Sequence, residues 1–92
     1  MELRVPPSQK KKLKSLEKAK KERIEKKLDE IDRKLSMNIE PEKVVEKRLS
    51  GPLHNFLQQR VGDMRLWFEI DREKDELKLE YTLTKEEAEK YY

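Results

Sequence analysis

The dipeptide Gly62-Asp63 lies between two runs of alternating apolar and polar residues, and this arrangement constrains the fold more than any other feature of the chain. Phe56–Val61 precedes it. Met64–Asp71 follows, setting Met64, Leu66, Phe68 and Ile70 against Arg65, Trp67 and Glu69. Alternation at a period of two marks a strand with one buried face. Glycine in the first central position suits a two-residue antiparallel hairpin, where the backbone needs a positive φ. With Gly62-Asp63 as the loop, Val61 is expected opposite Met64, Arg60 opposite Arg65, and Gln58 opposite Trp67. A third run, residues 77–83, sets Leu77, Leu79, Tyr81 and Leu83 against Lys78, Glu80 and Thr82. One face of the resulting sheet is expected to be apolar and the other polar and open.

The first half reads as helical. Residues 1–5 alternate as a short strand, and Pro6-Pro7 ends it because proline donates no ladder hydrogen bond. Ser8 then stands where a helix N-cap is expected. Apolar residues follow at Leu13, Leu16, Ala19, Ile24, Leu28, Ile31 and Leu35, the last four spaced by four, three and four. That spacing is an amphipathic stripe. The slip between Ala19 and Ile24 reads as the turn of a helical hairpin, with one long helix as the alternative. Residues 36–41 form a linker, Val44 and Val45 anchor a short segment on the core, and Ser50-Gly51-Pro52 is a turn. The expectation is one α+β domain over residues 1–92. An N-terminal strand and a two-helix hairpin pack on a small, mainly antiparallel sheet of about four strands.

Composition narrows the possible functions. The chain is 34% hydrophobic and 47% charged, close to the disordered range, and the ordered alternation of the last forty residues argues against disorder. With no cysteine and one histidine, disulfides and thiolate metal sites are excluded, and neither a metal nor a small-molecule cofactor is expected. No apolar run approaches the roughly 20 residues of a membrane span. The first five residues form no signal peptide, so the cytoplasm is the expected location. Residues 1–48 hold sixteen Lys/Arg against ten Asp/Glu, while residues 49–92 hold seven against ten. The basic excess is concentrated in residues 10–27, with ten basic and three acidic side chains. Such a surface attracts a polyanion, although a lysine run also serves simply as a solvated helix face.

The candidate binding residues follow from these patterns. Lys10, Lys11, Lys12, Lys20 and Lys21 would meet phosphates electrostatically. Arg60 opposite Arg65 is an unfavourable like-charge pair in a purely structural sheet, and two guanidinium groups suit a phosphate. An acidic neighbour that neutralises the pair is the structural alternative. Trp67, on the same face, offers a ring on which a base could stack, or is a partly covered sheet residue. His54 has no carboxylate or nucleophile at motif spacing and reads as a surface histidine.

The segments Leu49-Ser50-Gly51-Pro52-Leu53, Arg60-Val61-Gly62-Asp63-Met64-Arg65-Leu66 and Phe68-Glu69-Ile70 resemble the RelE/ParE family of toxins from toxin–antitoxin modules. The resemblance implies a sheet backed by two N-terminal helices, with a concave basic face. In its RelE branch, it implies a ribosome-dependent endoribonuclease that promotes attack of a ribose 2′-hydroxyl on the adjacent phosphate of mRNA. Arg65 then matches the phosphate ligand, Arg60 the basic residue before the turn, Lys85 the start of the tail, and Tyr92 the C-terminal tyrosine. The partners implied are the ribosome, mRNA and a separate antitoxin chain. The ParE branch shares the fold and inhibits DNA gyrase without nuclease chemistry. Leu57, Gln58, Met64 and Glu86 depart from the family pattern, and Glu86, Glu87 and Glu89 make the tail acidic. A carboxylate beside a phosphate opposes the charge that develops during cleavage. A non-nuclease inhibitor or a degenerate RNA-binding relative therefore remains the alternative.

Overall fold

A computed structural model describes residues 1–91. The chain runs β1 (Glu2–Arg4), α1 (Pro7–Lys14), α2 (Lys18–Ser36), α3 (Pro41–Val44), β2 (Lys47–Arg48), β3 (Phe56–Val61), β4 (Met64–Asp71), β5 (Glu76–Thr84) and α4 (Lys85–Glu89). The strands form one sheet in the order β1-β5-β4-β3-β2, with β1 parallel to β5 and the other neighbours antiparallel. The fold is α+β, as expected, but the sheet has five strands among the described residues rather than about four. The added strand is β2, whose two charged residues lie opposite Gln58 and Leu57. Two residues cannot display an alternation, so β2 leaves no signal in the sequence.

The central hairpin has the expected register: Val61 opposite Met64, Arg60 opposite Arg65, Gln58 opposite Trp67. Gly62 adopts a φ of +60°, as the first position of this turn requires.

The helices differ from expectation at their starts. Pro6, not Ser8, is the N-cap of α1, and Pro7 opens the helix. Proline is well placed there because the first N–H groups of a helix have no acceptor within it. The break between α1 and α2 falls at residues 15–17, ahead of the expected slip between Ala19 and Ile24. Ala19 is exposed and outside the apolar stripe, whereas Leu16 is half-buried within the turn. Ser15 ends α1, its Oγ donating to the Lys12 carbonyl at 2.7 Å. Along α2, Ile24, Leu28, Ile31 and Leu35 are all buried. α1 packs against β5, and α2 against β1 and β3. The core between helices and sheet includes Leu57, Met64, Leu66, Phe68, Leu77 and Leu79.

α2 ends in a Schellman motif. The Asn38 N–H donates to the Leu35 carbonyl at 3.0 Å and the Ile39 N–H to the Lys34 carbonyl at 3.3 Å. Asn38 itself has a φ of +62°. Asn38→Val is expected to cost about 1–2 kcal/mol in chemical denaturation, because a β-branched side chain is strained in the left-handed region. Asn38→Gly should leave stability equal or slightly raised.

In β5 the strict alternation fails. Trp67 faces Tyr81 and Phe68 faces Leu79, so Glu80 is an extra residue in a bulge. An inserted residue sends every later side chain to the opposite face. Tyr81 and Leu83, expected in the main core, therefore lie on the outer face. Thr82, expected outside, is buried on the helix side, where its Oγ1 donates to Gln9 Oε1 at 2.9 Å.

The outer face is consequently not an open polar surface. Trp67, Leu83, Leu49 and Ala88 form a second buried cluster, with Leu53 and Phe56 packed against it. Ala88 belongs to α4, so the C-terminal helix covers part of this face. A capping box starts α4: the Glu87 N–H donates to Thr84 Oγ1 at 3.1 Å and the Thr84 N–H to Glu87 Oε1 at 2.9 Å. Thr84→Ala is expected to lose about 1 kcal/mol. The Thr84 N–H, above all, holds the Glu87 carboxyl below its ordinary 4.5, with lesser help from the Thr84 hydroxyl, Lys12 and Lys90. A depressed carboxylate contributes stability that is complete above its unfolded value and is lost as pH falls through the folded one. Thermal unfolding should therefore show Glu87→Gln less stable than the native chain at pH 7, with the difference closing as the pH falls below the ordinary 4.5 and through the lowered folded value.

Candidate nucleic-acid interface

The β3–β4 turn is where the cationic side chains of distant segments meet. Lys20, in the first turn of α2, donates to Asp63 Oδ2 at 3.0 Å. Arg23, one turn on, brings its Nη1 close enough that a β-carbon at Gly62 would stand 3.5 Å from it. The Lys85 backbone N–H donates to the Asp63 carbonyl at 2.8 Å, which ties the start of α4 to the same turn. Lys12, on α1, acts instead on Glu87 of α4. The Lys20 ammonium is the main cause of an Asp63 carboxyl held below its ordinary value, with Arg65 adding a smaller share.

Arg65 is folded back over the turn. Its Nη1 donates to the Gly62 carbonyl at 3.0 Å and the Met64 carbonyl at 2.9 Å. Nε and Nη2 have no acceptor among the described residues. The guanidinium is thus oriented by one nitrogen and presents the others, which suits an oxyanion. Arg60 turns away: its Nε donates to Glu46 Oε2 at 2.7 Å, and its backbone N–H to Glu46 Oε1 at 3.2 Å. The like-charge pair of the sequence is therefore relieved by Glu46 on one side and by backbone carbonyls on the other. The two arginines are opposite in register but do not form a joint anion fork.

Trp67 is not available for stacking. It is 1% exposed, lies against Phe56 with ring centres 5.7 Å apart, and meets Tyr81 and Tyr91 edge-on at 6.1 and 5.4 Å. Its Nε1 donates to Gln58 Oε1 at 2.9 Å. The bulge turns Tyr81 onto this face, and α4 closes over it. Among the described residues, the exposed rings are instead Tyr81 and Tyr91.

Among the other expected positions, Lys10 and Lys11 are exposed on α1 and Lys21 is half-buried on α2. Tyr92 lies outside the described residues. His54 is exposed, its Nδ1 3.0 Å from the Gly51 carbonyl, in a local turn role. Nothing in the sequence sets Glu46 or Arg23 apart, and Asp63 stands in it only as a turn residue. Asp63 could have been found as the lone acid in the hairpin turn. Glu46 lies fourteen residues from Arg60 and carries no spacing signal.

In comparisons with known proteins, no family model matches the chain and no curated sequence matches it. Among the described residues, no helix is long and apolar enough to cross a membrane, and no group of acidic and histidine side chains is arranged to hold a metal ion.

Proposed function

We propose that the chain is a toxin of the RelE/ParE kind that binds RNA at its β3–β4 turn and stops translation by ribosome-dependent mRNA cleavage. The observation that carries this reading is the posture of Arg65, held by one nitrogen with Nε and Nη2 presented, among Lys20, Arg23 and the start of α4. The element order supports it as well: a strand, two helices, a hairpin and a final strand paired parallel with the first. In the cleavage step, the 2′-oxygen of a ribose attacks the adjacent phosphorus and the bond to the 5′-oxygen breaks. Arg65 binds the phosphate and offsets the charge that develops on it, and the resemblance adds Lys85, whose backbone is tied to the same turn. The resemblance gives Tyr92 an assisting role. Arg60 contributes only after leaving Glu46. A separate antitoxin chain is the partner this reading calls for, and the cytoplasm is its place.

A second reading is a ParE-like inhibitor of a protein target such as gyrase, without nuclease chemistry. It is favoured by the engagement of Arg60 with Glu46 and by the burial of Trp67. Adding the purified chain to a reconstituted translation system separates the two. The first reading expects protein synthesis to stop, and the second expects it to continue.

A further inference from the structure

Asp63 is the one acidic side chain of the β3–β4 turn, at the point where cations from α2 and β4 converge. Its carboxylate receives the Lys20 ammonium at 3.0 Å and lies within the field of Arg65, while its carbonyl anchors Lys85. The pair is accessible: the Lys20 side chain is 37% exposed and that of Asp63 57%. An ion pair this open is weak and screened, so a stronger anion can displace one partner. A phosphate of a nucleic acid carries the same charge on more acceptor oxygens and suits both ammonium and guanidinium donors. We propose that Asp63 occupies the place of a phosphate, and that an RNA phosphate takes Lys20 from it on binding. This inference rests on the proposed RNA-binding role of the turn and adds a residue that limits affinity there.

The consequence is an acid that weakens binding at the point where these cations converge. In Asp63→Asn the turn keeps a residue suited to it, and Lys20 is released to the ligand. Fluorescence anisotropy with a short labelled single-stranded RNA should show binding about 3- to 10-fold tighter for Asp63→Asn than for the native chain. The slope of log K against log salt should change by well under the ~0.7 of a whole phosphate contact, because Lys20 meets a phosphate in both complexes and only its competitor is lost. Glu73→Gln makes the same change of net charge in the β4–β5 loop, at the far end of β4. It should leave affinity within about twofold, because the added charge is screened at that distance. Lys20→Ala should weaken binding by the native chain, because the phosphate loses its ammonium partner, and should abolish the gain in the Asp63→Asn background. Circular dichroism confirms folding, and Asp63→Ser repeats the test with a second turn-compatible residue.

Equal binding by Asp63→Asn and the native chain overturns the inference. So does an equal gain from Glu73→Gln, which reduces the effect to net charge, or an absence of RNA binding in every variant. Arg65-dependent arrest of translation would survive the first two results, so failure of this inference is distinct from failure of the functional reading.

Discussion

Trp67→Ala is expected to destabilise the protein by about 3–5 kcal/mol, the usual result of deleting a large buried aromatic side chain. A chain of this size has only about 5–14 kcal/mol in total, so the variant should be largely unfolded in moderate denaturant. The cause is specific to the outer face. The Trp67 ring is the centre of a cluster of Phe56, Leu83, Ala88, Tyr81 and Tyr91, and its removal leaves α4 without the surface it covers. The Gln58 carbonyl oxygen would also lose the donor that meets it at 2.9 Å. Urea denaturation of the two proteins measures the loss directly. An exposed Trp67 on an open polar sheet would cost well under 1 kcal/mol on truncation. Because Trp67 is the sole tryptophan, its emission in the native chain should be that of a buried ring and should shift to the red on unfolding.

This contrast shows what the sequence carried and where it stopped. The hairpin was legible because glycine chemistry and period-two alternation on both sides agree, and they fix a register with no freedom to slip. The α2 stripe was legible for the same reason at a period of 3.6. The fate of β5 was not, because Leu77, Leu79, Tyr81 and Leu83 keep a regular spacing through a bulge that only the pairing with β4 reveals. That single insertion converts the expected open face into a second core and buries the tryptophan. α4 was readable in principle: Thr84 and Glu87 are spaced as a capping box, and the acidic tail obscured it. At the candidate site, Arg65 and Lys20 are named by the sequence as cations. Their partners, the Gly62 and Met64 carbonyls and Asp63, depend on tertiary geometry that no spacing rule encodes.

The second large effect separates the two arginines. Arg65→Ala is expected to reduce the arrest of translation by at least about 100-fold, the scale seen when one donor to a developing oxyanion is removed. Arg65→Lys should recover little, because a single ammonium cannot both hold the turn carbonyls and present a fork. Arg60→Ala should have a much smaller effect on arrest, since its guanidinium is already engaged by Glu46 in the free protein. Glu46→Gln then becomes informative. It frees Arg60 while keeping an acceptor for its backbone N–H, and arrest equal to or stronger than the native chain's is expected. Dose–response curves in a reconstituted translation system, with thermal melts to confirm folding, measure all four variants.

The most direct test of the functional account is to map the mRNA itself. A defined message is incubated with the native chain or Arg65→Ala, with and without translating ribosomes, and its 5′ ends are located by primer extension. The account predicts discrete cuts that require ribosomes, carry 5′-hydroxyl ends and vanish in Arg65→Ala. Intact message, or cuts that persist in Arg65→Ala, would contradict it.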